Sequence, residues 1–312
     1  MSDSLKVQSE SHGKSVDLAV GAALRDIVSR PIKAGLYLVA TPIGNLNDIS
    51  LRALAVLVQA DSVYCEDTRT SRKLLTRYGI RRKLNTYQEH NAERARPEIL
   101  ASLAGGQSVA LISDAGTPVI SDPGFKLVRA AIAEGYDIVP IPGPTAVSAA
   151  ISAAGLASDR FLFAGFLSQR SNARRNQLRD LATVPYTLVF YESPHRLAAT
   201  LADMAAEFAD AREAVVAREL TKKFEEFRRG RLADLAAWAT ATPPRGEITI
   251  VVSGCATQPS TDQVTDADIA EHLKRALECS SPAQASRQVA DALGVEKSRV
   301  YDIGLKLKRG EI

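Results

Sequence analysis

Two aspartates in one turn-rich segment are the first residues whose types and spacing could do chemistry. The apolar run 108–113 leads into SDAGTPVISDPGF, where Asp114 and Asp122 stand among glycines and prolines. Segments this rich in turn residues are usually functional. A carboxylate there could accept hydrogen bonds from ribose hydroxyls or an amino group, or face the positive sulfonium of a methyl donor. Both carboxylates could instead only cap a turn or a helix.

Two more turn-rich segments follow apolar runs in the same way. TPIGNLNDIS follows the run 36–40, and IPGPTAVSAA, with Thr145 and Ser148 at a helix start, follows the run 137–141. Neither GxGxxG nor GxxxxGK[ST] occurs, so the usual backbone cradle for a pyrophosphate or triphosphate is missing. Three such turns favour a nucleoside ligand over a dinucleotide or ATP.

The motif YESPHR offers the first candidates for proton transfer. Glu192 and His195 follow an apolar run and could both reach a ligand cleft, while Arg196 could hold an RNA phosphate. The alternative is a capped strand-to-helix turn with no chemical role.

A dense run of charge, ARELTKKFEEFRRGRL, offers a second set of candidates. Lys222 or Lys223 together with Glu225 could activate a hydroxyl group. The alternative is a solvated surface whose charges compensate one another.

Two basic groups contain no acidic residue and are therefore candidates for RNA binding. Contacts of this kind would follow phosphates rather than read bases, and their affinity would fall steeply with salt. The first group consists of Arg69, Arg72, Lys73, Arg77, Arg81, Arg82 and Lys83, and the second of Arg170, Arg174, Arg175 and Arg179.

The histidines and cysteines do not predict a metal site. They lie in separate segments without the paired spacing of zinc ligands, and the odd number of cysteines does not fit a disulfide framework. The chain has no signal peptide and no long apolar stretch, so we expect a cytoplasmic protein. The residues concerned are His12, His90, His195, His272, Cys65, Cys255 and Cys279.

The elements that must position these residues indicate two α/β domains. With 312 residues and 46% hydrophobic composition, the chain exceeds the usual length of one domain. Short apolar runs alternate with helical periodicity, which predicts βαβ units. We expect a mobile N-terminal leader at 1–32, an N-terminal α/β domain at 33–148 and a C-terminal α/β domain at 149–255. Predicted strands lie at 36–40, 62–65, 108–113, 137–141, 161–166, 186–192, 214–219 and 247–253.

A polar linker precedes a C-terminal region, 262–312, that contains helical patterns and no strand signal. Its helix-turn-helix-like shape could dock on nucleic acid, or it could only cap the fold. The cations that would support docking are Lys297, Arg299, Lys306, Lys308 and Arg309.

The order of motifs resembles a known family. LVATPIGNLNDIS, EDTRTSRKLL, ISDAGTPVISDPG, PIPGPTA and YESPHR follow one another as in the bacterial 16S ribosomal RNA cytidine 2′-O-methyltransferases. These enzymes belong to the tetrapyrrole-methylase-like (class III methyltransferase) superfamily. The resemblance covers about residues 33–255 and implies an S-adenosyl-L-methionine cofactor in a cleft between two α/β domains. It also implies a homodimer that methylates a decoding-centre cytidine, either in free 16S rRNA or in 16S rRNA within the 30S subunit.

The resemblance also implies a set of cofactor contacts. The catalytic candidates remain Glu192, His195, Lys222 and Glu225, because the motifs do not identify the general base. Cofactor contacts are expected at Ile43, Gly44, Asp114, Ala115, Gly116, Thr117, Ile120, Thr145, Ala146, Glu192 and Leu220.

Two other functions remain open from the sequence. A methylase of precorrin or uroporphyrinogen would share the fold, but the first loop reads ATPIGN where that branch has GxGPGD, and GTP (116–118) replaces its GDP. A non-catalytic RNA-binding assembly factor is the second, because fold alone does not determine function.

Overall fold

A computed structural model gives the fold of the chain. It describes residues 2–209, 211–255, 265–277, 280–293 and 295–309, without the side chains of 2–12, 14, 291, 292 and 308. The chain divides into two compact units, Met1–Ser253 and Gly254–Ile312. Cys279 and the side chain of Lys308 lie outside the described residues.

The first sheet is entirely parallel and confirms the predicted βαβ pattern. Its strand order is β3-β2-β4-β1-β5, and its central strands are buried on both faces. Its elements are β1 (Gly35–Val39), a 3₁₀ turn (Leu46–Asp48), α2 (Leu51–Gln59), β2 (Ser62–Cys65), α3 (Thr68–Arg77), β3 (Leu84–Thr86), α4 (Ala92–Ala104), β4 (Ser108–Ile112), α5 (Phe125–Ala133) and β5 (Ile138–Ile141), preceded by the N-terminal helix α1 (Ser2–Ser29).

The strand order places the ligand-facing loops side by side. Strands β2, β4, β1 and β5 are consecutive neighbours in a parallel sheet, so the loops at their carboxyl ends share one edge. In open α/β sheets this edge is where ligands bind. Helices α2 and α3 leave it with side-chain caps, Ser50 accepting from the Ala53 amide and Asp67 from the Arg69 amide.

The second sheet is mixed. In the order β6-β7-β10-β8-β9, only β6 and β7 are parallel. Because β10 is antiparallel to both neighbours, its start lies beside the ends of β7 and β8, with Ile248 opposite Glu192 and Arg218. Its elements are α6 (Ala146–Ala154), β6 (Phe161–Phe166), α7 (Ser171–Leu181), β7 (Thr187–Glu192), α8 (Leu197–Phe208), β8 (Glu213–Arg218), β9 (Glu226–Arg231), α9 (Leu232–Ala241) and β10 (Ile248–Val252).

Helix α6 joins the two domains and moves the predicted boundary. The predicted division between residues 148 and 149 falls inside α6, which is capped by Thr145 and ends at Gly155. Buried Val147, Ala150 and Ile151 of α6 pack in one cluster with strands of the second sheet. The helix therefore belongs with the second domain, and the chain crosses between domains at its start.

Segment 1–32, expected to be a mobile leader, contains α1. Leu24 near the end of α1, and Ile32 after it, pack against the core of the first domain. The expectation is therefore corrected for this end of the segment, where one apolar face is partly covered.

The C-terminal unit is helical in its described residues. Helices α10 (Asp266–Leu277), α11 (Pro282–Leu293) and α12 (Lys297–Arg309) share a core that includes Ile269, Leu273 and Val300. Arg299 forms an ion pair with Asp266 at 2.7 Å. Docking of this unit on nucleic acid stays a prediction. None of the described helices combines the length and apolar character needed to cross a membrane.

Candidate functional site

A cavity of about 390 Å³ lies where the loops of the first sheet meet one edge of the second. Its volume is within the range of small-molecule sites, roughly 300–1,000 Å³. Both domains contribute to its wall, the first through the loops after β1, β4 and β5, the second through the ends of β7 and β8 and the start of β10. It is lined by Ile43, Asp114, Ala115, Gly116, Thr117, Ile120, Ser121, Asp122, Thr145, Ala146, Phe166, Tyr191, Glu192, Ser193, Pro194, Leu220, Gly246, Glu247, Ile248 and Thr249.

The structure brings together all of the predicted cofactor residues at this cavity except Gly44. Their contact with a cofactor stays a prediction, but their convergence is a finding. The loops after β1 and β4 are held together by an isolated bridge, in which Thr41 and Gly116 exchange backbone hydrogen bonds of 2.8 and 3.0 Å. Gly116 has a φ of +84°, which an L side chain rarely adopts, so the sequence needs glycine there.

Gly44 is not among the residues that line the cavity, but its lack of a side chain is needed beside it. A Cβ built on it would lie 2.9 Å from the Leu220 carbonyl oxygen and 2.8 Å from the Thr221 Oγ1. The amide of the next residue, Asn45, donates to that same hydroxyl at 3.0 Å. Glycine here lets the first loop approach the loop after β8, beside the cavity-lining residues Ile43 and Leu220.

Backbone strain is concentrated on two loops at the cavity. Val119 and Ser121 have φ values of +76° and +62°, and Glu219 and Thr221 have values of +50° and +64°. Each such residue costs on the order of 1–3 kcal/mol, and strain of this kind clusters at ligand-binding sites. The fold therefore holds these two loops in conformations that their residues would not adopt alone.

Glu192 lines the cavity, but the fold already uses its carboxylate. Its Oε2 accepts from Thr200 Oγ1 at 2.6 Å, and its Oε1 accepts from the Ser193 amide at 2.7 Å. Arg196 Nε lies 3.3 Å from the same Oε1. With both oxygens bonded and the charge paired, Glu192 is a poor proton acceptor, and its predicted catalytic role is not supported.

The other two candidates in YESPHR, His195 and Arg196, do not line the cavity. His195 is exposed and does not line the cavity. Arg196 donates to the carbonyl oxygens of Leu167 and Ser168 at 2.8 and 3.2 Å, besides its pairing with Glu192. Its guanidinium therefore ties β7 to the end of β6, which corrects the prediction that it holds a phosphate. The motif behaves here as a strand-to-helix turn, as in its alternative interpretation, although helix α8 begins after Arg196 without the side-chain cap that this interpretation included.

Lys222 is a fixed cation at the cavity edge. Its Nζ donates to Glu219 Oε1 at 2.9 Å and to Glu247 Oε2 at 3.0 Å, and Glu247 lines the cavity. Desolvation lowers the pKa of Lys222, but the hydrogen bonds to Glu219 and Glu247 outweigh it and raise the pKa above its usual value. A lysine held protonated cannot remove a proton, although its charge can stabilise an anion.

Glu225 serves the same loop. Its Oε2 accepts from the Thr221 amide at 2.6 Å, and the side chain is otherwise exposed and outside the cavity. It holds the turn that carries Lys222, which corrects its assignment as a catalytic group. The next residues of this charged run, Glu226–Arg231, form the edge strand β9.

Acidic side chains collect at the first-domain wall of the cavity. Burial raises the pKa of Asp114, although the Asp67 amide, donating to its Oδ1 at 2.9 Å, opposes the rise. Burial raises the pKa of Asp122 to about 6, and the nearby Glu66 carboxylate adds to the rise. Burial likewise raises the pKa of Glu66. Negative potential of this kind suits a cationic ligand.

An aromatic pair from the second domain completes the cavity. The rings of Phe166 and Tyr191 are 5.5 Å apart, and both line it. Burial raises the pKa of Tyr191, so its hydroxyl stays protonated. Asp122 was singled out from the sequence by the ISDPG turn, although it was not among the expected cofactor contacts, whereas nothing in the sequence pointed to the aromatic pair.

Helix α3 presents its cations to solvent. Arg69, Lys73 and Arg77 recur at every fourth residue and are exposed, while Leu74 and Leu75 face the core. Of the seven predicted cations at 69–83, only Arg69 has an ion-pair partner in the described chain, Asp67 at 2.8 Å. Arg82 differs from the rest because it is half-buried.

This helix is tied to the cavity at both ends. The amide of Asp67, which caps α3, donates to the cavity-lining Asp114 at 2.9 Å. The hydroxyl of Tyr78, directly after α3, donates to the Leu46 carbonyl in the loop after β1 at 2.7 Å. The exposed cations therefore begin at the rim of the cavity.

The second basic group is neutralised by acids that are distant in sequence. Arg174 is buried and pairs with Asp203 of α8 at 2.6 Å. Arg175 and Arg179 both pair with Glu207 of α8, at 2.6 and 2.8 Å. Of the predicted RNA contacts here, only Arg170 is exposed without an ion-pair partner in the described residues. The prediction that this group binds phosphates is corrected.

Comparisons with known proteins agree with this architecture. Residues 35–236 match the family model of the Tetrapyrrole (Corrin/Porphyrin) Methylases. The chain is 51% identical over 285 residues to "Ribosomal RNA small subunit methyltransferase I" of Mesorhizobium japonicum, covering 91% of this chain and 95% of that protein. It is 45% identical to the protein of the same name from Pseudomonas aeruginosa, covering 87% and 96%.

Solved structures share the fold at low identity. A cobalt precorrin-4 methyltransferase of cobalamin biosynthesis superposes with a TM-score of 0.56 at 21% identity, covering 70% of this chain and 94% of that one. A uroporphyrin-III C-methyltransferase from Thermus thermophilus, solved with S-adenosyl homocysteine, has a TM-score of 0.52 at 19% identity, covering 70% and 97%.

Proposed function

Since the chain belongs to the tetrapyrrole methylase family and is an S-adenosylmethionine-dependent methyltransferase, we propose that its substrate is small-subunit ribosomal RNA. The acceptor we propose is the ribose 2′-oxygen of a cytidine in the decoding centre. The proposal of RNA rests on the 51% identity of this chain, over nearly the full length of both proteins, to a relative named for that substrate.

The cavity fits the cofactor by its chemistry. When bound, S-adenosylmethionine supplies a methyl group on a positively charged sulfur. Asp114 on the cavity wall offers negative charge to the sulfonium or ammonium group of such a molecule. Ile43, Ile120 and Leu220 offer an apolar surface to its adenine.

Helix α3 offers a surface on which the RNA substrate can bind. Its exposed cations start next to the cavity, so they can contact the phosphates of an RNA strand that reaches into it. Lys73 and Arg77 are suited to neutralise those phosphates, because no acid pairs with them in the described residues. We propose this face, and not helix α7, as the RNA-binding surface.

Two further properties are carried over as proposals. A homodimer is what the family resemblance implies, and the mass of the protein in solution, measured by sedimentation, tests it. A ribosomal substrate places the reaction in the cytoplasm, where small subunits are assembled.

The function is tested by methyl transfer from labelled S-adenosylmethionine. The acceptors are 30S subunits and free 16S RNA, both from cells that lack this protein, and uroporphyrinogen. We expect label in the RNA of one or both ribosomal samples, mapped by reverse transcription to one ribose in the decoding region. Label in uroporphyrinogen alone would assign the protein to the other branch of its family. Cofactor binding without transfer to any acceptor would support a non-catalytic assembly factor instead.

A further inference from the structure

Transfer of a methyl group to a ribose hydroxyl requires a proton acceptor, and the candidates chosen from sequence do not provide one. Glu192 is bonded on both oxygens, His195 is exposed away from the cavity, and Lys222 is held protonated. An acceptor must lie within reach of the substrate, so the cavity wall is where it belongs.

Four carboxylates line the cavity, and three of them already accept a hydrogen bond from another group of the protein. Glu192 is bonded to Thr200, Ser193 and Arg196, as described above. Glu247 accepts from Lys222 at 3.0 Å. Asp114 accepts from the Asp67 amide at 2.9 Å, a bond that positions helix α3.

Asp122 is the fourth carboxylate. No cation forms an ion pair with it anywhere in the part of the chain that the structure describes. The titratable groups around it are the carboxylates of Glu66 and Asp114 and the hydroxyl of Tyr191, while the nearby Ser113 hydroxyl donates to the Gly116 carbonyl at 3.0 Å. It is half-buried on the strained loop after β4, next to Ser121 with its φ of +62°.

We propose that Asp122 is the general base of this enzyme, an assignment that rests on the ribose-methylating function proposed above. The ribose oxygen forms a bond to the methyl carbon as the sulfur–methyl bond breaks, and that electron pair stays on sulfur. The hydroxyl proton passes to an Asp122 oxygen and then to solvent. No other reactant is needed, because the charge lost by the sulfonium equals the charge of the proton released.

The surroundings explain why this carboxylate suits the task. Burial and the neighbouring acids raise its pKa to about 6, which makes it a stronger base than an ordinary aspartate. Above pH 6 it is ionised and ready to accept a proton, and below pH 6 it is blocked. A catalytic pKa close to the working pH is the most effective arrangement for proton transfer.

The experiment compares Asp122→Asn with Asp114→Asn and with the exposed control Asp180→Asn of helix α7. Single-turnover methylation is measured from pH 5 to 9 at saturating cofactor, and S-adenosylhomocysteine binding is measured by calorimetry. We expect Asp122→Asn to lower the rate about 10²- to 10⁴-fold, the usual contribution of a general base. Its cofactor affinity should change less than threefold, and the fall in rate below pH 6 should disappear. Asp122→Glu should recover part of the rate.

Two results would overturn the assignment. One is an Asp122→Asn variant that keeps the wild-type rate and the same fall in rate at acid pH. The other is a loss that lies wholly in cofactor affinity, with the full rate at saturating cofactor. The ionisation itself is read independently, by carboxyl ¹³C NMR of the cofactor-free protein, in which a signal titrating near pH 6 must vanish in Asp122→Asn. Failure of the proposed function looks different, because then wild-type protein would methylate neither RNA sample.

Discussion

Helices α3 and α7 carry similar basic sequences, yet the fold treats their charges in opposite ways. Both contain several arginines with no acid inside the basic run. On α3, Lys73 and Arg77 point to solvent with no ion pair in the described residues. On α7, Arg174 and Arg175 are paired with carboxylates of the neighbouring helix α8.

The difference lies in what each helix packs against. Helix α7 lies along α8, whose Asp203 and Glu207 are one turn apart and meet the arginine side of α7. Helix α3 packs by Leu74 and Leu75 against the first core, and in the described residues no acid of another element pairs with its cations. A window of sequence therefore reports the charge of a segment, whereas binding depends on the charge left after packing.

The largest effect that this comparison predicts concerns stability. Arg174→Ala should lower the free energy of unfolding by about 3 kcal/mol, because it leaves the mostly buried Asp203 carboxylate unpaired. Urea unfolding followed by circular dichroism measures the change. Arg170→Ala, at the exposed start of the same helix, should change it by less than about 0.5 kcal/mol.

The same variant should lose stability without losing affinity for RNA. Folded Arg174→Ala should bind 30S subunits as the wild type does. If Arg174→Ala kept the wild-type free energy of unfolding but bound RNA weakly, helix α7 and not α3 would be the RNA-binding helix.

The second prediction concerns the charges that remain free on α3. Lys73→Glu with Arg77→Glu should weaken binding to 30S subunits about 30-fold, which equals about 2 kcal/mol, because two phosphate contacts become repulsive. Filter binding at fixed salt measures it. Thermal stability should stay near the wild-type value, since both side chains are exposed.

A matched reversal on the other helix serves as the control. Arg170→Glu changes an exposed cation on α7 and should leave RNA affinity within about threefold of the wild type. Equal losses from both helices would mean that RNA contacts the protein through general charge and not through the α3 face.

The contrast between the two helices also marks how far the sequence could predict this molecule. The buried strands were recognised because strands covered on both faces are continuous apolar runs. Two edge strands were missed, β3 with three residues and β9 with the sequence EFRRGR. An edge strand pairs on one side only and tolerates a short or charged sequence, as in β3 and β9. The other two edge strands, β5 and β6, are apolar and were predicted.

The same reasoning applies to the site. The three cavity loops were predictable because parallel strands place their carboxyl ends together. The hydrogen bond between Glu192 and Thr200 was not predictable, since Thr200 lies on the next helix and its partner is known only once strand and helix are packed. Likewise, Lys222 meets Glu247 because β10 runs antiparallel to β8, a pairing that no local pattern reveals.

The third prediction extends the comparison to an acid that packing leaves without a cation. Asp122→Asn should stabilise the protein by about 1–2 kcal/mol at pH 7.5, a value reduced for solvent screening because the side chain is only half-buried. The folded pKa of about 6 lies above the unfolded value of 3.8, so stability falls as pH rises between them, because ionising this carboxyl is harder in the folded protein than in the unfolded chain. The gain should therefore shrink at pH 4.5. Thermal unfolding at both pH values measures it, and a gain that does not depend on pH would contradict the ionisation.

The smallest predicted effect is also the most direct comparison of the two helices. Single neutralisations, Lys73→Gln on α3 and Arg175→Gln on α7, remove one charge each. The dependence of log affinity on log salt should become shallower by about 0.7–0.9 for Lys73→Gln, the value of one phosphate contact. It should be unchanged for Arg175→Gln, because the charge of Arg175 is already balanced by Glu207 at 2.6 Å. Binding isotherms at four salt concentrations would detect the difference, and equal slopes would mean that the ion pair with Glu207 opens when RNA binds.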